Sequence, residues 1–466
     1  MEIWADVRRV FRLAVPVVFA ELGWMMMTTV DTIMVGRLGP TAIGATGIGS
    51  SAYYSFGIFG MGLLLGLDTL VSQAFGARNR EECHRWLTQG FYLALFITFP
   101  LMLIFFNTES GLVFLKVDRQ VTGPAGAFVR TLGWGTLPLL LYTAFRRYLQ
   151  AMGHVRPVMF VLLSANLVNW FFNWLLIQGH WGFPALGVVG SALSTCVARV
   201  YMALALGVFI WWFERGLNPG FRNLMQGPNI ARLVRLLRLG GPAATQILLE
   251  VGAFGAAAIL AGRLTPIALA AHQLALNCAA LSYMVPLGIS SAAAVAVGHA
   301  IGGGDRRRAR MNGYVAIAIG CAFMSLPAAA FLLIPEPILR VYTLDTRVLT
   351  IGVRLLAVAA LFQLFDGLQT VATGALRGLG HTREAMLVNL LGYWALGLPL
   401  GYWLCFDAKL GIQGIWLGLT LALVLIAVAL LTVWRKRSRE TGGSGDAPGA
   451  SPDEQQTRKR TSLLAE

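Results

Sequence analysis

Twelve apolar runs constrain this chain more than anything else in it, because each is long enough to cross a hydrocarbon layer about 30 Å thick. They fall near 12–36, 45–75, 87–106, 124–151, 157–178 and 185–213. After a basic connector they resume near 239–262, 267–301, 311–334, 349–376, 385–406 and 411–434. A backbone in hydrocarbon has no water to bond, so the helix, which satisfies its own N–H and C=O groups, is the natural spanning form. Several runs exceed the ~20 residues that a perpendicular helix needs, which predicts tilt, kinks or protruding ends. Charged residues make up 13% of the chain, about half the share found in soluble domains. The expected fold is an all-α membrane protein with twelve transmembrane helices.

The formal charge is +15. A basic chain raises the question of nucleic acid, but no separate basic module exists to hold one, and no nucleic-acid partner is expected. The arginines sit in short loops instead. Counting Lys and Arg beside the spans gives 24 on the side that carries both termini and 7 on the other. The positive-inside bias then puts both termini in the cytoplasm, as an even number of spans requires. Met1 to Arg12 lacks a short apolar stretch with a cleavage site and reads as a lead into the first span. The five cysteines are scattered, without a Cys-x-x-Cys pair, and support neither a disulfide framework nor a zinc site. The segment 435–466, polar and rich in Gly, Pro and Ser over most of its length, is expected to be a disordered tail.

The sequence repeats itself at a spacing of about 226 residues. Pro16, the stretch Gly36-Arg37-Leu38-Gly39-Pro40 and Gly76-Ala77-Arg78-Asn79 find counterparts in Pro242, Gly262-Arg263-Leu264-Thr265-Pro266 and Gly302-Gly303-Gly304-Asp305. Gly153-His154 matches Gly380-His381, and Leu186-Gly187 matches Leu410-Gly411. Six spans per half make the repeats parallel, related by an axis along the membrane normal. This divides the chain into an N-terminal lobe over 1–213, a connector over 214–238 and a C-terminal lobe over 239–434.

Charge inside a span is costly and marks either structure or function. Glu250 lies deep in the seventh run with Gln246 one turn away, and Asp366 follows Gln363 in the middle of the tenth. Asp31 occupies the outer part of the first run and Asp68 the inner end of the second. Glu21 reads as structural. Arg199 is deep enough to pair with a carboxylate, while Arg130 and Arg354, at matching outer positions, read as snorkelling to the interface. Two polar faces run along helices: Asn166, Asn169 and Asn173 in the fifth span, and Gln273 and Asn277 in the eighth. Helix–helix glue and cavity lining are equal readings of both.

These residues carry a resemblance. Val30-Asp31-Thr32-Ile33-Met34-Val35-Gly36-Arg37-Leu38-Gly39, Gln73-Ala74-Phe75-Gly76-Ala77-Arg78-Asn79 and Ala270-Ala271-His272-Gln273-Leu274-Ala275-Leu276-Asn277 are similar to segments of the MATE (multidrug and toxic compound extrusion) family, NorM-type branch. The likeness runs from about residue 10 to 435. It implies a two-lobed, monomeric exporter in a bacterial inner membrane that moves small, mostly cationic organic compounds against Na⁺ or H⁺ entry, with no cofactor beyond that coupling ion. Glu250 and Asp366 match the acidic pair that binds the coupling cation, including any Na⁺, and Tyr283 matches an aromatic residue beside it. Asp31 matches a first-lobe aspartate for a proton or cationic substrate. Gln246, Gln273, Asn277, Asn169 and Asn173 complete the expected substrate region. Phe362 stands where some relatives have tyrosine, which removes a hydroxyl near the ion.

Under this reading, substrate and coupling cation compete for the same carboxylates. The aromatic and Met-rich set Trp24, Met25, Met26, Met27, Tyr53, Tyr54 and Phe56 offers adaptable surface for flat apolar cations. Other classes fit poorly. None of the four lysines follows a glycine, so no phosphate-binding G-K-[ST] loop exists for an ATP-driven pump. The six histidines show no ligand spacing on one helix, which disfavours a membrane enzyme. A dedicated metabolite exporter and a lipid-linked sugar flippase of the same superfamily remain as alternatives, although the deep charges are mainly acidic.

Overall fold

The computed structural model describes residues 2–114, 119–217 and 227–440, almost all of them helical. The tail from 441 and connector residues 218–226 lie outside the described residues. The first half comprises α1 (Glu2–Gly36), α2 (Pro40–Leu63), α3 (Gly66–Gly76), α4 (Arg80–Phe106), α5 (Thr108–Phe114), α6 (Arg119–Trp134), α7 (Thr136–Ala151), α8 (Val155–Gln178) and α9 (Gly187–Leu217). The second comprises α10 (Ile230–Gly262), α11 (Pro266–Gly302), α12 (Arg306–Leu333), α13 (Pro335–Arg340), α14 (Thr346–Leu379), α15 (Thr382–Asn389), α16 (Leu398–Phe406) and α17 (Ile412–Glu440). A π-helical stretch, Leu390–Gly397, joins α15 to α16.

Among the described residues, 11 helical stretches are long and apolar enough to cross a membrane. The expected span 124–151 is instead delivered by two consecutive 16-residue helices, α6 and α7, that meet at Gly135. A Cβ at Gly135 would stand 2.7 Å from the Cys196 sulfur, so the break packs against α9. Arg130, Arg146 and Arg147 lower the apolarity of this stretch, and each has a carboxylate partner. At the C-terminus, α17 continues to Glu440, past the expected start of the tail at 435. Arg437 explains the extension: it reaches Glu384 at 3.0 Å and Glu440 at 2.9 Å.

The apolar interior forms two large cores, one in each half. Each half also sends the start of its first helix into the other: Val10, Leu13, Ala14 and Val17 of α1 join the second core, and Leu236 of α10 joins the first. The junction carries the repeat symmetry. A Cβ on Gly76 would meet the His299 carbonyl at 2.2 Å, and one on Gly302 the Gln73 carbonyl at 1.9 Å. These four residues are two repeat-related pairs, so α3 and α11 cross on the pseudo-twofold axis, and only glycine permits the approach. The caps repeat as well: Asn79 accepts from Glu82 N at 3.0 Å and Asp305 from Arg308 N at 2.9 Å. So do the turns, where Gly153 and Gly380 take φ of +81° and +90°, a conformation natural to glycine.

Among the described residues, three ion pairs join the halves at the end that bears the termini. Arg232 of α10 contacts Glu82 of α4 at 2.6 Å, Arg308 of α12 contacts Asp6 of α1 at 3.4 Å, and Arg377 of α14 contacts Asp68 of α3 at 3.4 Å. In each the acid belongs to the first half and the arginine to the second. Thr69 donates to the Arg377 carbonyl and Gln73 to the Gly378 carbonyl, so the same end is tied by neutral bonds too.

Candidate functional site

Between the lobes lies a cavity of about 430 Å³ walled by α1, α2, α7, α10, α11 and α14. Its second-lobe wall presents Glu250 and Asp366, both buried. α10 and α14 bring them together across one side chain: Gln369 Nε2 donates to Glu250 Oε1 at 3.2 Å and to Asp366 Oδ1 at 3.4 Å. The carbonyl oxygen of Gln369 is buried without a hydrogen-bond partner. Beside Glu250 a small chamber, of about 50 Å³, is lined by Gln246, Tyr283, Ser290, Gln369, Thr370 and Arg377 among others. Glu250 and Tyr283 face both spaces. Gln246 points its amide toward the Thr373 hydroxyl at 3.4 Å.

Aromatic rings support the pair from behind. Phe362, nearly inaccessible, lines the cavity and packs edge-on against Phe254 and Trp416. Phe254 in turn meets Tyr393 from the π-helical stretch. That stretch ends where Pro399 withholds a backbone N–H, and a helix of wider pitch of this kind often accompanies a functional site.

The first-lobe wall carries opposite charges that cancel. Arg146 and Glu21 form a buried ion pair facing the cavity. Arg147, beside it, reaches Asp68 at 3.4 Å and the Ser291 hydroxyl at 3.3 Å. Glu250 and Asp366 are therefore the cavity carboxylates without a cationic partner among the described residues. The ring pair Trp24–Tyr142, stacked with centroids 6.4 Å apart, completes this wall.

Asp31 occupies a different space, a first-lobe pocket of about 170 Å³ formed by α1, α2, α6 and α9. Asn173 donates to its Oδ1 at 2.5 Å and Thr195 to its Oδ2 at 3.1 Å. Asn169 stands behind Asn173, accepting from it at 3.1 Å. The polar face of α8 thus converges on Asp31. Asn166 instead bonds the Gly23 carbonyl and joins α8 to α1. Gln273 and Asn277 lie on an exposed face of α11 and line neither pocket. Arg199 is buried, but its partner is a ring: Nη1 donates to Tyr53 OH at 2.8 Å, and the guanidinium lies 4.8 Å from the ring centroid. Arg130 pairs with Glu109 at 3.0 Å.

A single family description, MatE, matches this chain twice, over residues 16–175 and 242–403, one match in each repeat. The chain belongs to the MATE family. It is 34% identical to the probable multidrug resistance protein NorM of Mesorhizobium japonicum over 441 residues, 93% of this chain and 94% of that protein. It is 36% identical to the multidrug resistance protein NorM of Burkholderia vietnamiensis over 432 residues, covering 91% and 92%. Its fold is shared with the eukaryotic MATE transporter AtDTX14 at a TM-score of 0.83, 22% identity and coverage of 94% and 99%. A multidrug resistance MATE transporter in an outward-facing conformation superposes equally well, at 0.83 with 18% identity and coverage of 94% and 97%.

Several site residues of this MATE chain were not legible from spacing. Gln369 follows Asp366 by three positions, one helical turn, and that periodicity was the available signal. Arg146 and Tyr142 of α7, Glu21 of α1 and Tyr393 of the π-helical stretch come from three separate helical segments. Of the aromatic and Met-rich set near the start, Trp24 lines the lobe cavity and Tyr54 the Asp31 pocket. Met26 and Phe56 are exposed instead, and Met27 and Tyr53 are buried in the first core.

Proposed function

We propose that this chain is a multidrug efflux transporter that exports small organic cations by antiport with Na⁺ or H⁺. The observation that carries the reading is the pair Glu250–Asp366, sharing one amide donor at the wall of an apolar interlobe cavity and lacking a cationic partner. Unpaired buried carboxylates are costly when bare, so a cation of either kind relieves the same cost, and two cations exclude each other. The two carboxylates and the unpartnered Gln369 carbonyl are hard oxygen donors, which suit Na⁺, and either carboxylate suits a proton. The rings of Trp24, Tyr142 and Phe254 provide faces for a flat cation.

The lobes as read from the repeat, 1–213 and 239–434, are the moving bodies. The Lys and Arg excess supports a cytoplasmic position for the closed end and both termini, and the bacterial relatives support an inner membrane. In this state drug leaves outward while the coupling cation reaches Glu250 and Asp366. Opening the other end then requires the three cross-half ion pairs to part. The transport unit is one chain, since both walls of the cavity come from it.

The test is efflux of a lipophilic cation from cells expressing Glu250→Gln or Asp366→Asn at wild-type levels, with external Na⁺ and pH varied independently. Loss of efflux in both variants is expected. Undiminished efflux in either defeats the assignment, and the ion whose gradient drives wild-type efflux identifies the coupling species.

A further inference from the structure

We propose that a crevice at the closed end of the lobe junction binds the headgroup of an anionic phospholipid. The crevice measures about 510 Å³ and is lined by Arg9 and Arg12 of α1, His154 and Arg156 at the start of α8, and His299 of α11. Among the described residues, no acidic side chain lines it. The nearest acid along α1, Asp6, is engaged by Arg308 at 3.4 Å. Burial holds the His154 imidazole below its ordinary pKa against the opposing pull of Glu214, an acid already engaged by His84 and Tyr148, so the charge rests on the three arginines, none of which has an ion-pair partner among the described residues. The N-terminus of the 24-residue helix α8 adds its own positive end, without a side-chain cap from His154.

The repeat supplies a control within the same molecule. The counterparts of His154 and Arg156 are His381 and Arg383, and there an acid is present: Glu384 takes His381 at 3.0 Å and Arg437 at 3.0 Å. Its first-half counterpart is Pro157. One turn of the fold is therefore internally neutralised and its mate is left open and cationic.

Apolar surface continues from the crevice along the helices that form it. Phe11, Val15 and Phe19 are exposed at one-turn intervals on α1, and Phe160, Leu163 and Leu167 are exposed on α8 beyond Arg156. A cationic socket at the end of a membrane-spanning bundle, continued by an apolar stripe, matches a molecule with an anionic head and acyl chains. The socket draws on α1, α8 and α11, so an occupied site holds both halves together at this end.

The experiment uses the full chain purified in detergent and exchanged with mixed vesicles of phosphatidylglycerol and phosphatidylcholine. Retained lipid is read by native mass spectrometry, with and without excess inorganic phosphate. Wild type is expected to retain phosphatidylglycerol preferentially, and phosphate is expected not to displace it. Substituting Arg9, Arg12 and Arg156 by Gln lowers retention about fivefold per arginine. Pro157→Glu, which restores the neutralising acid and favours the helix start, also abolishes the preference without removing an arginine. Arg383→Gln leaves it intact. Wild-type retention in Pro157→Glu overturns the proposal, and so does displacement by inorganic phosphate, which would make the crevice a small-anion site.

Discussion

Glu250 and Asp366 answer to one amide: Gln369 Nε2 lies 3.2 Å from the first carboxylate and 3.4 Å from the second. Two acids from α10 and α14 thus behave as a unit. Replacing Gln369 by Leu keeps most of the volume but removes the donor. Hydrogen bonds to charged groups contribute about 1.5–3 kcal/mol, so a drop in efflux of about tenfold or more is expected. Proteoliposome efflux of a fluorescent cation measures it. In an Asp366→Asn background the same substitution costs less, because the unit is already broken.

The Glu21–Arg146 pair makes a second prediction. Removing one partner of a buried pair leaves an uncompensated charge, at a cost of about 3–5 kcal/mol. Glu21→Gln and Arg146→Gln each lower the thermal midpoint of the purified protein, and combining them restores most of it. If either single variant melts like wild type, the pair does not hold this wall.

Asp68 receives two arginines from opposite halves, Arg147 and Arg377. Asp68→Asn removes the charge both of them use and favours opening at the end that bears the termini. Spin labels at Arg80 and Arg306, in a cysteine-free background, report this as a new population at longer distance. A distribution identical to that of the unsubstituted, equally labelled protein contradicts the role.

Gly302 gives a steric version of the same test. A Cβ there overlaps the Gln73 carbonyl, so Gly302→Ala separates α3 from α11. The same labels move apart, and efflux falls because the end that bears the termini no longer closes. Gly304→Ala, where a Cβ meets nothing but φ is +77°, affects the local turn without this separation.

Much of the fold was legible because lipid imposes one simple rule on every span, and the parallel repeat was legible because turn glycines and caps cannot drift. Gly76 and Gly302 mark the crossing of α3 and α11, and Gly153 and Gly380 repeat the same turn. The α6–α7 span shows the limit: its break at Gly135 depends on packing against Cys196, a contact from another helix. At the site, Glu250 and Asp366 stood out because apolar neighbours isolate them. Glu21 reads from the sequence as structural, but the partner that makes it so was not legible. All three are acids inside spans, and what divides them is whether an arginine from a distant helix arrives. Gln273 and Asn277 carry polar spacing like that of Asn169 and Asn173, yet one pair is exposed and lines neither pocket while the other reaches Asp31, since periodicity names a face but not its neighbour.

The ion pairs Asp6–Arg308 and Glu82–Arg232 occupy repeat-equivalent places with their signs exchanged. Two identical halves could place one acid and one base at each of these contacts, and so pair with any copy of themselves. Here one half carries both acids and the other both bases, a seam with a plug and a socket. A first half repels another first half, so the like half of a neighbouring molecule is a poor substitute for the correct partner.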